Sequence, residues 1–285
     1  MVEELKSDRM TEGAANQTPA SKWLPGTSIS ILQPPAVREL KEAGFAWVEL
    51  TWHAKKNELP NRPELKLQFE AYIEELRRSG LDIWTLHIPY GQDWDISQED
   101  ELARQGAVER VSGVLRLARE WGVERTVLHP SAEPIAPNRR AGRMEACKES
   151  LRAIAAVSEE TGVKVGVECL PRTCLGNSAE EMVQLVDTHP ALGVCVDVNH
   201  LVKDLPEDFI KKLGQRIVTI HLSDNDGLDE KHWLPGKGVL HWKEIMRALD
   251  ESGYEGAFMY EVRPLLLDEL SRNYKQLMAD YREPG

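Results

Sequence analysis

Six stretches of this chain end in residues suited to metal binding or proton transfer: TLHIPY with His87, VLHPS with His129, VGVECLPR with Glu168, CVDVNH with Asp197 and His200, TIHLSD with His221 and Asp224, and FMYEVR with Glu261. Directly after His221 the segment DNDGLDEKHWLPGKG adds Asp226, Asp229, Glu230 and His232. Two carboxylates from neighbouring segments, a third carboxylate and an imidazole make a mixed oxygen and nitrogen donor set. Such a set suits a divalent ion such as Mn²⁺, Mg²⁺, Co²⁺ or Zn²⁺, and it lacks the thiolates of a closed structural zinc site. An ion with four protein ligands and an octahedral preference keeps positions for substrate oxygens, so it can polarise a carbonyl and hold an adjacent hydroxyl. Carboxylates on either side can then remove and return a proton α to that carbonyl through an enediolate. No nucleophile elbow, phosphate loop or dinucleotide fingerprint competes with this chemistry, and no nucleotide cofactor is expected.

The elements that must position these residues follow from hydrophobic period. Short apolar, β-branched runs alternate eight times with longer segments of helical period. The expected strands are 27–32, 46–50, 82–88, 125–129, 164–168, 193–197, 216–222 and 257–261. Between them lie amphipathic patterns such as PELKLQFEAYIEELRRSG and HWKEIMRALDESG, several closed by glycine as a helix end prefers. Eight such units at 285 residues predict an α/β chain folded as a (β/α)8 TIM barrel over residues 26–285, with a doubly wound open sheet as the alternative. Strands of a parallel sheet are buried on both faces, so an ionisable residue at a strand end is costly unless a site uses it. One such residue is more often a hydrogen-bonded structural group; six in consecutive strands point to a site at the carboxyl end of a barrel. His53, His189 and His241 lie off this pattern: His189 precedes a proline in a loop, and His241 stands where the seventh helix should start.

With 47 acidic against 35 basic residues the formal charge is −12, which weighs against broad binding of nucleic acid or acidic membrane. Residues 1–25 are polar and charged, are expected to be a disordered tail, and contain neither a secretory signal nor a spanning helix. The four cysteines, Cys147, Cys169, Cys174 and Cys195, form no C-x-x-C pair and are expected as free thiols, consistent with a cytoplasmic location.

Taken in order, LHIPY, VECLPR, DVNH, IHLSD, DEKHWLPGKG and GYEGAFMYE resemble the xylose isomerase-like barrel superfamily, in particular its sugar phosphate isomerase/epimerase branch. The resemblance runs from about residue 28 to residue 280. It implies a TIM barrel, a small sugar or sugar phosphate as substrate, and one divalent metal ion (Mn, Mg, Co or Zn) held by Glu168, Asp197, His221 and Glu261. It also implies that Glu168 and Glu261 serve as the acid/base pair and that His200 contacts substrate oxygens. Members of the superfamily often pair, so a homodimer is the assembly implied. The same superfamily includes apurinic endonucleases with three zinc ions. His87, His129, His232 and either Asp229 or Glu230 stand at positions comparable to their extra ligands; in an isomerase these residues would line or close the substrate pocket instead. Asp229 and His232 are three apart where the nuclease pattern has two, and ECLPRTCLGNS has no counterpart in it. A lyase or dehydratase acting on a 3-keto-sugar derivative, and a non-catalytic sugar-binding barrel, complete the alternatives.

Other residues carry weaker expectations. Arg172 reads either as a contact for a substrate phosphate or carboxylate or as a loop salt bridge. Trp52, Trp94 and Trp233 fall in loops expected on the catalytic face, and Trp52 and Trp233 are candidate sugar platforms. Glu49 reads equally as a structural carboxylate or a substrate contact, and Tyr90 and Lys237 as lid or substrate residues. Asp224 and Asp226 read as turn residues around Gly227.

Overall fold

The computed structural model describes residues 22–52 and 63–282. His53 and residues 1–21 of the expected tail lie outside the described residues. Eight strands follow the order of the chain: β1 Pro25–Ser30, β2 Trp47–Thr51, β3 Asp82–His87, β4 Arg125–Leu128, β5 Lys164–Glu168, β6 Leu192–Asp197, β7 Ile217–His221 and β8 Phe258–Tyr260. Eight helices lie between and after them: α1 Val37–Glu42, α2 Pro63–Arg78, α3 Glu101–Glu120, α4 Arg140–Thr161, α5 Ala179–Val186, α6 Pro206–Leu213, α7 Trp242–Glu251 and α8 Leu267–Arg282. Local chemistry sets several ends. Asp100 caps α3 by accepting from the Ala103 amide, Ser178 caps α5 by accepting from the Glu181 amide, and Gly162 ends α4 in the left-handed region.

The strands pair in the order β7-β6-β5-β4-β3-β2-β1-β8, each paired neighbour running parallel. A full ladder is missing at the β7/β8 seam. There the Leu222 amide donates to the Met259 carbonyl at 2.9 Å and the Glu261 amide donates to the Leu222 carbonyl at 3.2 Å. That parallel bridge brings β8 back to β7 and rules out the open doubly wound sheet. Residues such as Leu50, Leu86, Val165, Val194 and Ile220 are fully buried in one apolar cluster with Leu115, Leu151 and Leu249 of the helices. The interior of the barrel is different: Thr27, Glu49, Thr85, Thr219 and His221 are polar and fully buried. Near its amino-terminal end Trp47 packs edge-on against Trp84, and the Arg125 guanidinium lies 3.9 Å over the Trp84 ring.

The expected strands are all present; the fifth keeps its expected bounds and the other seven have one or both ends shifted. The first lies two residues earlier than the pattern suggests, although the Ile31 amide still donates to the Thr51 carbonyl at 2.9 Å. His241 is the N-cap residue of α7, and the amide of Ala191 donates to Nδ1 of His189 in its loop. All four cysteines are buried free thiols. No helix among the described residues is long and apolar enough to cross a membrane.

Candidate active site

Strand register delivers the carboxyl-terminal residues to one level. Glu168 ends β5 opposite Cys195, Asp197 ends β6 opposite His221 of β7, and Glu261 follows β8 directly. One donor atom from each of Glu168, Asp197, His221 and Glu261 lies within 4.8 Å of all the others. Nδ1 of His221 stands 3.0 Å from Glu261 Oε2, 3.2 Å from Glu168 Oε1 and 3.8 Å from Asp197 Oδ2.

The other ring nitrogen decides what Nδ1 can do. Nε2 of His221 lies 2.9 Å from Glu49 Oε2, and both residues are fully buried. The Thr85 hydroxyl donates to the same Glu49 oxygen at 2.7 Å. A carboxylate can only accept, so Nε2 carries the proton and Nδ1 turns a lone pair, or a second proton, toward the three acidic residues. Asp197 Oδ2 is buried without a hydrogen-bond donor, and Glu168 Oε2, although 2.8 Å from His129 Nε2 and 3.3 Å from His87 Nε2, is aligned for a hydrogen bond with neither. Convergent carboxylate oxygens, two of them without a hydrogen-bond partner, around an imidazole nitrogen whose direction Glu49 fixes are a fit for a divalent cation. The carboxylate behind His221 thus has a task that the sequence pattern left open for Glu49.

Electrostatics agree with a site built to hold positive charge. Burial opposes protonation of His221, yet Cys195, Glu49 and Glu261 around it hold its pKa well above the ordinary histidine value. Burial alone would raise Glu168, but His129, His221 and His87 keep it well below the usual carboxylate range. Burial pushes Asp197 up to about 6, against the pull of His200. His200 is raised to about 10 despite its burial, by Asp197, Glu230 and Glu168. Burial lowers His129, against the pull of Glu168.

Two further groups flank the central set. His87, His129 and Glu168 form one, and His200, Glu230 and His232 the other. His200 Nε2 lies 2.8 Å from Glu230 Oε2, and Nδ1 of His232 lies 3.1 Å from the Glu261 carbonyl. Of the two carboxylates left open by the sequence, the one grouped with His232 is thus Glu230, two residues away, and not Asp229.

The loop bearing Glu230 and His232 is organised by Asp224. Its buried carboxylate accepts from the amides of Asn225 (3.0 Å), Leu240 (3.2 Å) and Gly236 (2.8 Å) and from Trp242 Nε1 (2.9 Å). Gly238 passes so close that a Cβ would collide with the Asn225 carbonyl and the Asp224 carboxylate. Asp224 is thus the anchor of this loop and more than a turn residue. Asp224→Ala strands several buried donors and is expected to cost ~3 kcal/mol or more in chemical denaturation; a change below ~1 kcal/mol would contradict the anchoring role.

A cavity of about 400 Å³ opens over the donor set, in the size range of small-ligand sites. Its wall includes Glu168, Glu261, His87, His129, His200 and His232. Tyr90 stacks on His129 at a ring distance of 4.5 Å. Arg172 also lines it, with a positive φ of 52° and with its guanidinium bonded to Glu133, Asp229 and Glu230. It forms the loop salt bridge of the two readings given above. The tryptophans do not join the site. Trp52 is 5% exposed in the core, Trp94 is buried near a short 3-10 turn, and Trp233, 40% exposed, lines a neighbouring cleft with Lys237. Neither proposed sugar platform faces the cavity, because the end of β2 turns Trp52 into the core and the bridge from Trp233 to Asp224 sets Trp233 on the far side.

The family model of the xylose isomerase-like TIM barrel matches residues 37–279. The chain belongs to this family. Among curated proteins, an uncharacterized protein of Methanocaldococcus jannaschii is 30% identical over 200 residues, covering 67% of this chain and 68% of its own. Fructoselysine 3-epimerase of Escherichia coli O157:H7 is 23% identical over 258 residues, covering 87% of this chain and 91% of its own. Among solved structures, a D-tagatose 3-epimerase-like protein superimposes with a TM-score of 0.76 at 23% identity, covering 90% of this chain and 97% of that one.

Proposed function

We propose that this protein is a divalent-metal-dependent sugar epimerase or isomerase that moves a proton at the carbon next to the carbonyl of a keto-sugar. The observation that carries the reading is the convergence of Glu168, Asp197, His221 and Glu261, with unmatched carboxylate oxygens, beneath a monosaccharide-sized cavity. Kinship with fructoselysine 3-epimerase and the D-tagatose 3-epimerase-like fold supports it. In this reading Glu168, Asp197, His221 and Glu261 hold one ion, Mn, Mg, Co or Zn. The bound ion supplies Lewis acidity toward the substrate carbonyl and its neighbouring hydroxyl.

The chain's own residues do the rest. One of Glu168 and Glu261, as carboxylate, takes the α-proton from one face of the sugar and keeps it; the other delivers a different proton, gained from solvent, to the opposite face of the enediolate. Each resets by exchange with solvent. Around Glu168, His129 and His87 stand close enough to share its proton, at 2.8 and 3.3 Å. His200, held by Glu230 and by the Cys169 carbonyl at 3.0 Å, faces the same cavity and is suited to bind a substrate hydroxyl. The measurement that tests this is incorporation of solvent deuterium at the carbon α to the carbonyl by the metal-loaded protein. Incorporation with at least one ketose is expected, and none across a broad panel would refute proton-transfer chemistry.

A second reading has one specific observation in its favour. Glu168 is shared between the central donors and His87 with His129, while His200, Glu230 and His232 form a third group, which is the composition a multinuclear zinc phosphodiesterase needs. Metal count separates the two.

A further inference from the structure

We propose that the cavity selects uncharged keto-sugars and discriminates against their phosphates, because Arg172 is already matched by three carboxylates. This rests on the epimerase reading and narrows its substrate class. A phosphate monoester carries close to two negative charges at pH 7 and is held by arginine forks or clustered amides with free donors. Arg172 offers no such fork. Its Nη2 donates to Glu133 Oε1 at 2.6 Å, its Nε to the same oxygen at 2.9 Å, and its Nη1 to Asp229 Oδ1 at 2.7 Å and to Glu230 Oε1 at 2.9 Å. Its carbonyl accepts from Asn177 Nδ2 at 2.7 Å, which fixes the backbone at its positive φ. A phosphate at Arg172 would have to displace Glu133 and Asp229 and leave both carboxylates beside the incoming anion.

The other described arginine on the wall is Arg263, and the His200 ring on the same wall is already paired by Glu230 at 2.8 Å. The Arg263 side chain is 57% exposed, and its Nη2 stands 3.5 Å from Glu261 Oε1. Two carboxylates outside the proposed metal donors, Glu133 and Glu230, also border the cavity. The remaining polar wall is chiefly imidazole, from His87, His129, His200 and His232, and imidazoles suit hydroxyl groups. Among the described residues, the lining therefore presents hydrogen-bonding partners for a polyol and, for an anion, only arginines that already have a carboxylate beside them.

The test uses the full chain loaded with Mn²⁺ and follows solvent deuterium incorporation into free ketopentoses and ketohexoses and into the same sugars carrying a terminal phosphate. The expected result is kcat/KM higher by roughly a hundredfold or more for a free ketose than for its phosphate. Preference for the phosphate overturns this proposal and leaves the epimerase reading standing, whereas no incorporation into either set overturns both. Inorganic phosphate is the second probe. Freeing Arg172 by Glu133→Gln with Asp229→Asn, which leaves the metal donors intact, should tighten phosphate binding in calorimetry at least about tenfold. Equal affinity in the two proteins would show that the pairing of Arg172 does not set the discrimination.

Discussion

Glu168→Gln is expected to lower solvent-deuterium exchange by at least about a thousandfold, the upper part of the range for a positioned acid or base. Two tasks meet in this side chain. It supplies one of the donors within 4.8 Å of His221 and Glu261, and it lies against His129 and His87, which hold it ionised. The amide keeps the shape and removes both the charge and the basicity. Because loss of the ion would also silence the protein, metal content has to be measured on the same sample. A variant that keeps its ion and loses exchange assigns proton transfer to Glu168, and one that keeps both exchange and ion removes Glu168 from the mechanism. Glu261→Gln is expected to behave in the same way, since Glu261 lies on the other side of His221 Nδ1 and is likewise held below the usual carboxylate range by His221 against burial.

The second large effect is expected at Glu49, which touches no substrate. Glu49→Gln should weaken binding of the divalent ion by about 10- to 100-fold, the usual consequence of altering the partner behind a ligating imidazole. The carboxylate fixes His221 with Nε2 protonated and Nδ1 toward the donors, and its negative charge raises the basicity of that nitrogen. Competition with a chromophoric chelator measures the affinity without reference to turnover, and circular dichroism establishes that the variant is folded. An affinity equal to that of the parent would mean that Glu49 merely fills the barrel.

These two predictions differ in how visible their residues are in the sequence. Glu168, Asp197, His221 and Glu261 stand out because each ends an apolar strand, where a charged group is conspicuous, and because parallel strands must all end on one face. Glu49 also lies in an apolar run, but its meaning depends on His221, 172 positions away, and no local pattern reveals that contact. The same limit applies to Arg172, whose residue type suits a phosphate until Glu133, Asp229 and Glu230 are seen around it. Choosing between Asp229 and Glu230 needed the turn set by Asp226, whose carboxylate accepts from the amides of Leu228 and Asp229. Tryptophans in loops were misleading because a loop residue can pack inward: Trp52 follows β2 directly and joins the core. Barrel closure was likewise beyond periodicity, since it rests on the single bridge from Leu222 to Tyr260 at the β7/β8 seam.

The epimerase reading requires one ion at one set of donors, and metal stoichiometry tests that most directly. Anomalous diffraction from crystals grown with Mn²⁺ or Zn²⁺, with metal analysis of the same protein, counts the ions and names their ligands. One ion per chain bound by Glu168, Asp197, His221 and Glu261 is the result predicted; three ions that also engage His87, His129, His200, Glu230 and His232 would contradict it and favour the multinuclear phosphodiesterase.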